Sequence, residues 1–125
     1  MSLVLIVEDN EKNMKLVRDI LQAKGYETVE AGTAEEGIKV ALERVPDLVL
    51  MDIQLPGMNG MEALTVLRAD AATAHIPVVA ITASVMEQDR QQIMDTGFDG
   101  FIEKPIDLRA FLATCRRRSS RGEAE

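Results

Sequence analysis

Apolar residues fall along this chain in two alternating rhythms. Short unbroken runs, too brief for a helix and rich in branched side chains, occur at Leu3 to Val7, Leu48 to Met51 and Val78 to Ile81. Runs of this kind read as strands buried on both faces. Glu27 to Ala31 and Gly100 to Glu103 are weaker versions, placed where a second and a fifth strand are due. Between them lie stretches of helical period. Met14, Val17 and Leu21 form one stripe in a helix over roughly Glu11 to Lys24, with Asn10 as its cap and Gly25 as its stop. Thr33 and Glu36 make a capping box for the second helix, on which Ala34, Ile38, Ala41, Leu42 and Val45 are expected to form the buried face up to Pro46.

Pro56, Gly57 and Gly60 mark a tight loop after the third strand. A third helix follows from about Gly60 to Arg68, with Leu64 and Leu67 inward, and the polar stretch from Ala69 to His75 is a loop. Ser84 and Glu87 offer another capping box for a fourth helix over Met86 to Thr96, whose thin apolar face is chiefly Ile93 and Met94. Asp107 caps a fifth helix carrying Leu108, Phe111, Leu112 and Cys115. Strict alternation of strand and helix, with right-handed crossovers and helices on both faces, implies an α/β doubly wound (βα)5 fold of flavodoxin-like topology, with a parallel sheet in the order 2-1-3-4-5. One domain over residues 1–125 is expected, with 119–125 as a flexible tail.

Composition narrows the function. A hydrophobic fraction of 46% and a charged fraction of 28% suit a globular protein, and a net charge of -7 disfavours nucleic acid and anionic membrane surfaces. No run is long enough to span a bilayer, and the first strand begins at Leu3, so a cytoplasmic protein is expected. The single cysteine, Cys115, reads as core packing, because it shares helical spacing with Leu108 and Leu112.

In a parallel sheet every strand ends on the same edge, and that edge is where open α/β folds bind ligands. The strand ends here deliver Glu8 and Asp9, Asp52, Thr82 and Lys104. Strands one and three are neighbours across the point where the strand order reverses, so three carboxylates meet there. At a separation of about 5 Å and an effective dielectric of about 20, each pair repels by roughly 3 kcal/mol. Either a cation sits among them or one acid holds a proton. An oxygen-only donor set suits magnesium, or manganese in its place. Asp52, at the end of a central strand with an open loop after it, is the candidate nucleophile toward phosphorus, giving an acyl phosphate. Glu8, Asp9, Asp52 and the backbone carbonyl of Gln54 are the candidate metal ligands. Thr82 is placed to donate its hydroxyl to a phosphoryl oxygen, and Lys104 to supply a positive charge.

The stretches LIVEDN at 5–10, DLVLMDIQLPGMNG at 47–60, VVAITA at 78–83 and FIEKPID at 101–107 together resemble the receiver domains of two-component response regulators. The resemblance covers nearly the whole chain. It implies that Asp52 accepts a phosphoryl group from a histidine kinase or a histidine phosphotransfer protein, with Glu8 and Asp9 as the acid pair, Thr82 as the switch hydroxyl and Lys104 as the family's lysine. It also implies a cis bond between Lys104 and Pro105. Phe101 stands where the family places a switching aromatic ring, and the fourth helix, fifth strand and fifth helix form the surface expected to change and to meet a downstream partner. EDNEKNMKLVRDILQAKGYET and HIPVVAITA are similar, more narrowly, to single-domain cell-division regulators of that family. A monomer or weak dimer, without direct nucleic-acid contact or membrane insertion, is the expected state.

Other classes fit less well. A magnesium-dependent aspartyl phosphatase wants a second acid two residues after the nucleophile, where this chain has Gln54. A flavin module wants a hydroxyl- and glycine-rich loop after strand one, where Glu8 and Asp9 stand instead. A degenerate receiver acting only by contact remains the rival, although every chemical position is filled. A switch rather than a turnover enzyme is therefore expected. His75, alone in a polar loop, reads as solvent-exposed, and the arginines at 116–118 as the end of the last helix.

Overall fold

The computed structural model describes residues 3–53, 55, 57–82 and 87–103; for 82, 87–90 and 103 the description is of the backbone. Nine elements alternate along the chain: β1 (Leu3–Val7), α1 (Glu11–Ala23), β2 (Glu27–Ala31), α2 (Ala34–Arg44), β3 (Leu48–Asp52), α3 (Gly60–Ala69), β4 (Val78–Thr82), α4 (Glu87–Thr96) and β5 (Gly100–Glu103). The strands form one parallel sheet in the order β2-β1-β3-β4-β5, as the alternation implied. The fifth helix, the Ser84–Glu87 capping box, Gln54, Lys104, Pro105 and the 119–125 tail lie outside the described residues.

Strand alternation divides the core in two. Leu5, Val7, Val49, Met51, Val78 and Ala80 face the side covered by α2, α3 and α4, where Leu64, Leu67, Ile93 and Phe98 complete the cluster. Val4, Ile6, Leu48, Leu50, Val79 and Ile81 face α1, packing with Met14, Val17 and Leu21. Burial on both faces is why β1 and β3 read as continuous apolar runs. At β2, an edge strand, only Ala31 is buried.

The helix ends follow local chemistry. The Asn10 side chain accepts from the backbone N–H groups of Lys12 and Asn13, and Gly25, at φ 91°, lets the chain leave α1. Thr33 caps α2 by accepting from Glu36 N at 3.1 Å. A capping box that the sequence reading passed over starts α3: Asn59 Oδ1 accepts from Glu62 N at 2.9 Å, and Glu62 Oε1 accepts from Asn59 N at 3.0 Å.

Helix α2 buries Ala34 and Ala41 as expected but departs from expectation in the rest of its face. Ala34, Gly37 and Ala41 meet the sheet, while Ile38 is half-buried and Leu42 and Val45 are 41% and 45% exposed. Gly37 decides this: a Cβ there would lie 2.7 Å from Val7 Cγ2, so the helix backbone approaches the sheet more closely than any larger residue allows. The small residues form the contact face and turn the larger stripe aside. Val45 then ends α2 at φ 42°, a left-handed conformation uncommon for a branched side chain, and Pro46 prevents continuation. On α4, Ile93 is buried as expected, but Met94 is 44% exposed.

Far from the strand tips that carry the acids, one side chain ties several segments together. Arg68 of α3 donates to the carbonyls of Ala74 and Ile76 at 3.1 and 2.7 Å and to Asp99 Oδ2 at 2.8 Å. The same carboxylate oxygen accepts from Val78 N. Arg68 thereby holds the 70–76 turn and the approach to β5 against the start of β4.

Candidate functional site

The carboxyl ends of β1 and β3 bring Glu8, Asp9 and Asp52 together. Each offers a carboxylate oxygen, and these oxygens all lie within 4.8 Å of one another. Their placement begins with register. β1 and β3 are directly paired from Val4 and Leu48 to Val7 and Met51, so residues 8 and 52 follow at one level of the same edge. Glu8 continues the alternation of Val4 and Ile6, and Asp52 that of Leu48 and Leu50; both acids therefore belong to the α1 side.

Backbone bonds fix the two arms. Glu8 N donates to Ala31 O at 3.1 Å, extending the pairing of β1 with β2, and Asn10 N donates to Glu8 Oε2 at 3.2 Å. Because Asn10 also caps α1, Asp9 is held between a strand end and a helix start. On the other arm Ile53 N donates to Ile81 O at 3.0 Å, and Gly60 N returns to Ile53 O at 3.0 Å, closing the loop after β3. Gly60 is required by space: a Cβ there would stand 2.7 Å from the carbonyl oxygen of Asp52 and 3.0 Å from Ile53 Cα. Gly57 turns the same loop at φ 74°.

Electrostatics make the cluster unusual. Glu8 is 2% and Asp52 3% exposed, whereas Asp9 is open to solvent. Burying like charges side by side is costly unless positive charge is supplied nearby. The amino end of α1, which follows Asp9 directly, supplies partial positive charge. The donor set, made of carboxylate oxygens alone from two strand ends, fits a hard divalent cation of the magnesium type.

The remaining expected residues are placed in part. Thr82 ends β4, one step beyond Ile81, the partner of Asp52, so its backbone lies on the same edge. Phe101, in β5, is half-buried and packs against the core on the α2, α3 and α4 side. Gln54, Lys104 and Pro105 fall outside the described residues. His75 is exposed, as its loop suggested. Among the described residues no helix is long and apolar enough to cross a membrane. The sequence reading overlooked the contact of Gly60 with the Asp52 backbone; a glycine at the first position of a helix just after the acid loop was its only signal.

A parallel 2-1-3-4-5 sheet with an acid trio at its switch point is the arrangement found in receiver domains. The chain belongs to the response regulator receiver domain family, which matches residues 4–116. It is a two-component signalling regulator, and members of this family interact with histidine kinases and downstream targets. Among its relatives, the polar-differentiation response regulator DivK of Brucella ovis is 46% identical over 113 residues, covering 90% of this chain and 92% of that protein. Among solved structures, Vibrio cholerae chemotaxis protein CheY4 superposes with a TM-score of 0.88 at 26% identity, over 94% of this chain and 98% of that one. The receiver domain of the sensor histidine kinase PA1611 from Pseudomonas aeruginosa PAO1 gives a TM-score of 0.88 at 25% identity, over 95% and 98% of the two chains. That structure holds a magnesium ion coordinated in its active site cleft.

Proposed function

We propose that this chain is a phosphoryl-accepting switch in which Asp52 receives the group from a histidine kinase or a histidine phosphotransfer protein. A carboxylate oxygen of Asp52 attacks phosphorus, the phosphorus–nitrogen bond to the donor imidazole breaks, and the bonding pair leaves with the imidazole. The product is an acyl phosphate on Asp52. The observation that carries this reading is the convergence of Glu8, Asp9 and Asp52 at the carboxyl edge, with the last at the tip of a central strand.

Glu8, Asp9, Asp52 and the backbone carbonyl of Gln54 would hold a magnesium ion. When bound, such an ion neutralises charge on the phosphoryl oxygens. Thr82 donates its hydroxyl to one of those oxygens, and Lys104 offsets the charge of another. Movement of Thr82 toward the phosphoryl group is coupled to Phe101 and alters the face made by α4 and β5, where a downstream protein binds. One modification at a single carboxylate, without a second acid at residue 54, describes a switch rather than a turnover enzyme. The likeness to polar-differentiation regulators supports placing its output in that kind of process.

Intact-mass measurement after incubation with acetyl phosphate and magnesium tests the assignment. Wild type should gain one phosphoryl group, and Asp52→Ala should gain none. Persistent labelling of Asp52→Ala overturns the choice of nucleophile, and absence of labelling in wild type favours a receiver acting by contact alone.

A further inference from the structure

The close approach of α2 to the sheet has a second effect, on the side of the molecule facing α3. Because Ala34, Gly37 and Ala41 occupy the sheet contact, the stripe from Ile38 to Leu42 is turned toward α3. There it borders a cleft of about 260 Å³, lined by Ile38, Leu42, Val66, Leu67, Ala69 and Thr73 with Asp70 at one end. Five large apolar side chains are markedly exposed among the described residues, and two of them, Leu42 and Val66, line this cleft. The Thr73 hydroxyl donates to Leu67 O at 2.7 Å, so the floor of the cleft presents little polar demand.

The rim is acidic. Helical spacing continues the Ile38 stripe to Glu35 and the Val66 stripe to Glu62, both at the amino ends of their helices, and Asp70 closes the opposite end. The same spacing sets one cation, the exposed Lys39, between Glu35 and Leu42, so the three acids outnumber it along the rim. Asp70 Oδ1 accepts from Ala72 N and Glu62 Oε1 from Asn59 N, so these two carboxylates are fixed in place. A cleft below the roughly 300–1,000 Å³ of small-molecule sites suits one or two inserted side chains rather than a whole ligand. A second copy of this chain would bring the same acids against one another.

We propose that the α2–α3 cleft docks the apolar face of a cationic amphipathic helix on a partner protein. One or two leucine-like anchors, spaced i and i+3 or i+4, enter between Leu42 and Val66, and lysines or arginines flanking them meet Glu35, Glu62 and Asp70. This surface is separate from the strand-tip site, and its use does not require phosphorylation.

The probe is a synthetic helical peptide of about 15 residues with leucines at i, i+3, i+4 and i+7 and lysines elsewhere, titrated into isotope-labelled full-length protein. A second peptide carries glutamates for the lysines. The lysine peptide should shift the amides of Ile38, Leu42, Val66 and Asp70, with the glutamate peptide inert. Leu42→Gln and Glu35→Lys, each checked for an unchanged melting profile, should weaken binding about tenfold. Asp52→Asn should bind as wild type does, which keeps this test apart from the phosphoryl-acceptor assignment. Equal response to both peptides, shifts confined to another face, indifference to Leu42→Gln, or no binding overturns the proposal. Concentration-dependent shifts at the same amides without peptide overturn it in favour of self-association.

Discussion

Replacing Asp52 by Asn should stabilise the metal-free protein. The carboxylate oxygens of Glu8, Asp9 and Asp52 lie within 4.8 Å of one another. For the two buried acids, Glu8 and Asp52, an effective dielectric of about 20 at that separation gives a repulsion of about 3.5 kcal/mol. Asp9 is solvent-exposed, so its repulsion with Asp52 falls to about 1 kcal/mol in a water-like dielectric. Set against these, beyond the partial charge at the amino end of α1, is an attraction of about 3 kcal/mol expected from Lys104, whose place in the sequence pairs it with Asp52. The balance favours Asp52→Asn by about 1–2 kcal/mol, or a rise in Tm of about 3–8 °C for a chain of this size. Asparagine keeps the shape and the acceptor oxygen, so packing contributes little to the difference.

The assay is thermal unfolding in a chelating buffer and in millimolar magnesium. A cation present at ten times its Kd stabilises wild type by about 1.4 kcal/mol, so added magnesium should recover for wild type about what Asp52→Asn gains without it. Asp52→Asn, with one charge fewer to bind the ion, should respond less to magnesium. A lower Tm for Asp52→Asn in chelator, together with a wild type indifferent to magnesium, would refute the electrostatic argument.

Two further substitutions separate stability from site geometry. Gly60→Ala should destabilise by about 1–3 kcal/mol and also slow phosphoryl uptake from acetyl phosphate, because its Cβ meets backbone atoms of Asp52 and Ile53 that cannot swing aside; uptake at the wild-type rate counts against this role. Arg68→Ala should cost a similar amount, about 1–3 kcal/mol in urea unfolding, by taking the guanidinium from the Ala74 and Ile76 carbonyls and leaving Asp99 only its bond from Val78 N, yet leave uptake unchanged because Arg68 sits at the opposite edge of the sheet; slowed uptake contradicts that separation.

The difference between what was and was not legible in the sequence lies in the range of the forces. Strand order and the meeting of Glu8, Asp9 and Asp52 followed from local periodicity and the shared edge of a parallel sheet, since a buried strand exposes its tip wherever its apolar run stops. On α2 the alanines were placed correctly, but Leu42 and Val45 were misjudged because counting large apolar residues assumes that size drives burial. At Gly37 the absence of a side chain set the packing distance, and Ala34 and Ala41 followed it inward while Leu42 and Val45 were left outside. The Asn59–Glu62 box was present in the sequence but overshadowed by Pro56 and Gly57. The Arg68–Asp99 pair joins residues 31 apart with no periodic signal, so only tertiary structure reveals it. The acidic site was therefore legible because it is a property of strand ends. The α2–α3 cleft was hidden because it arises from one glycine's effect on helix placement, and Gly37→Ala should push α2 outward and reshape that cleft while leaving the register of β1 and β3 intact.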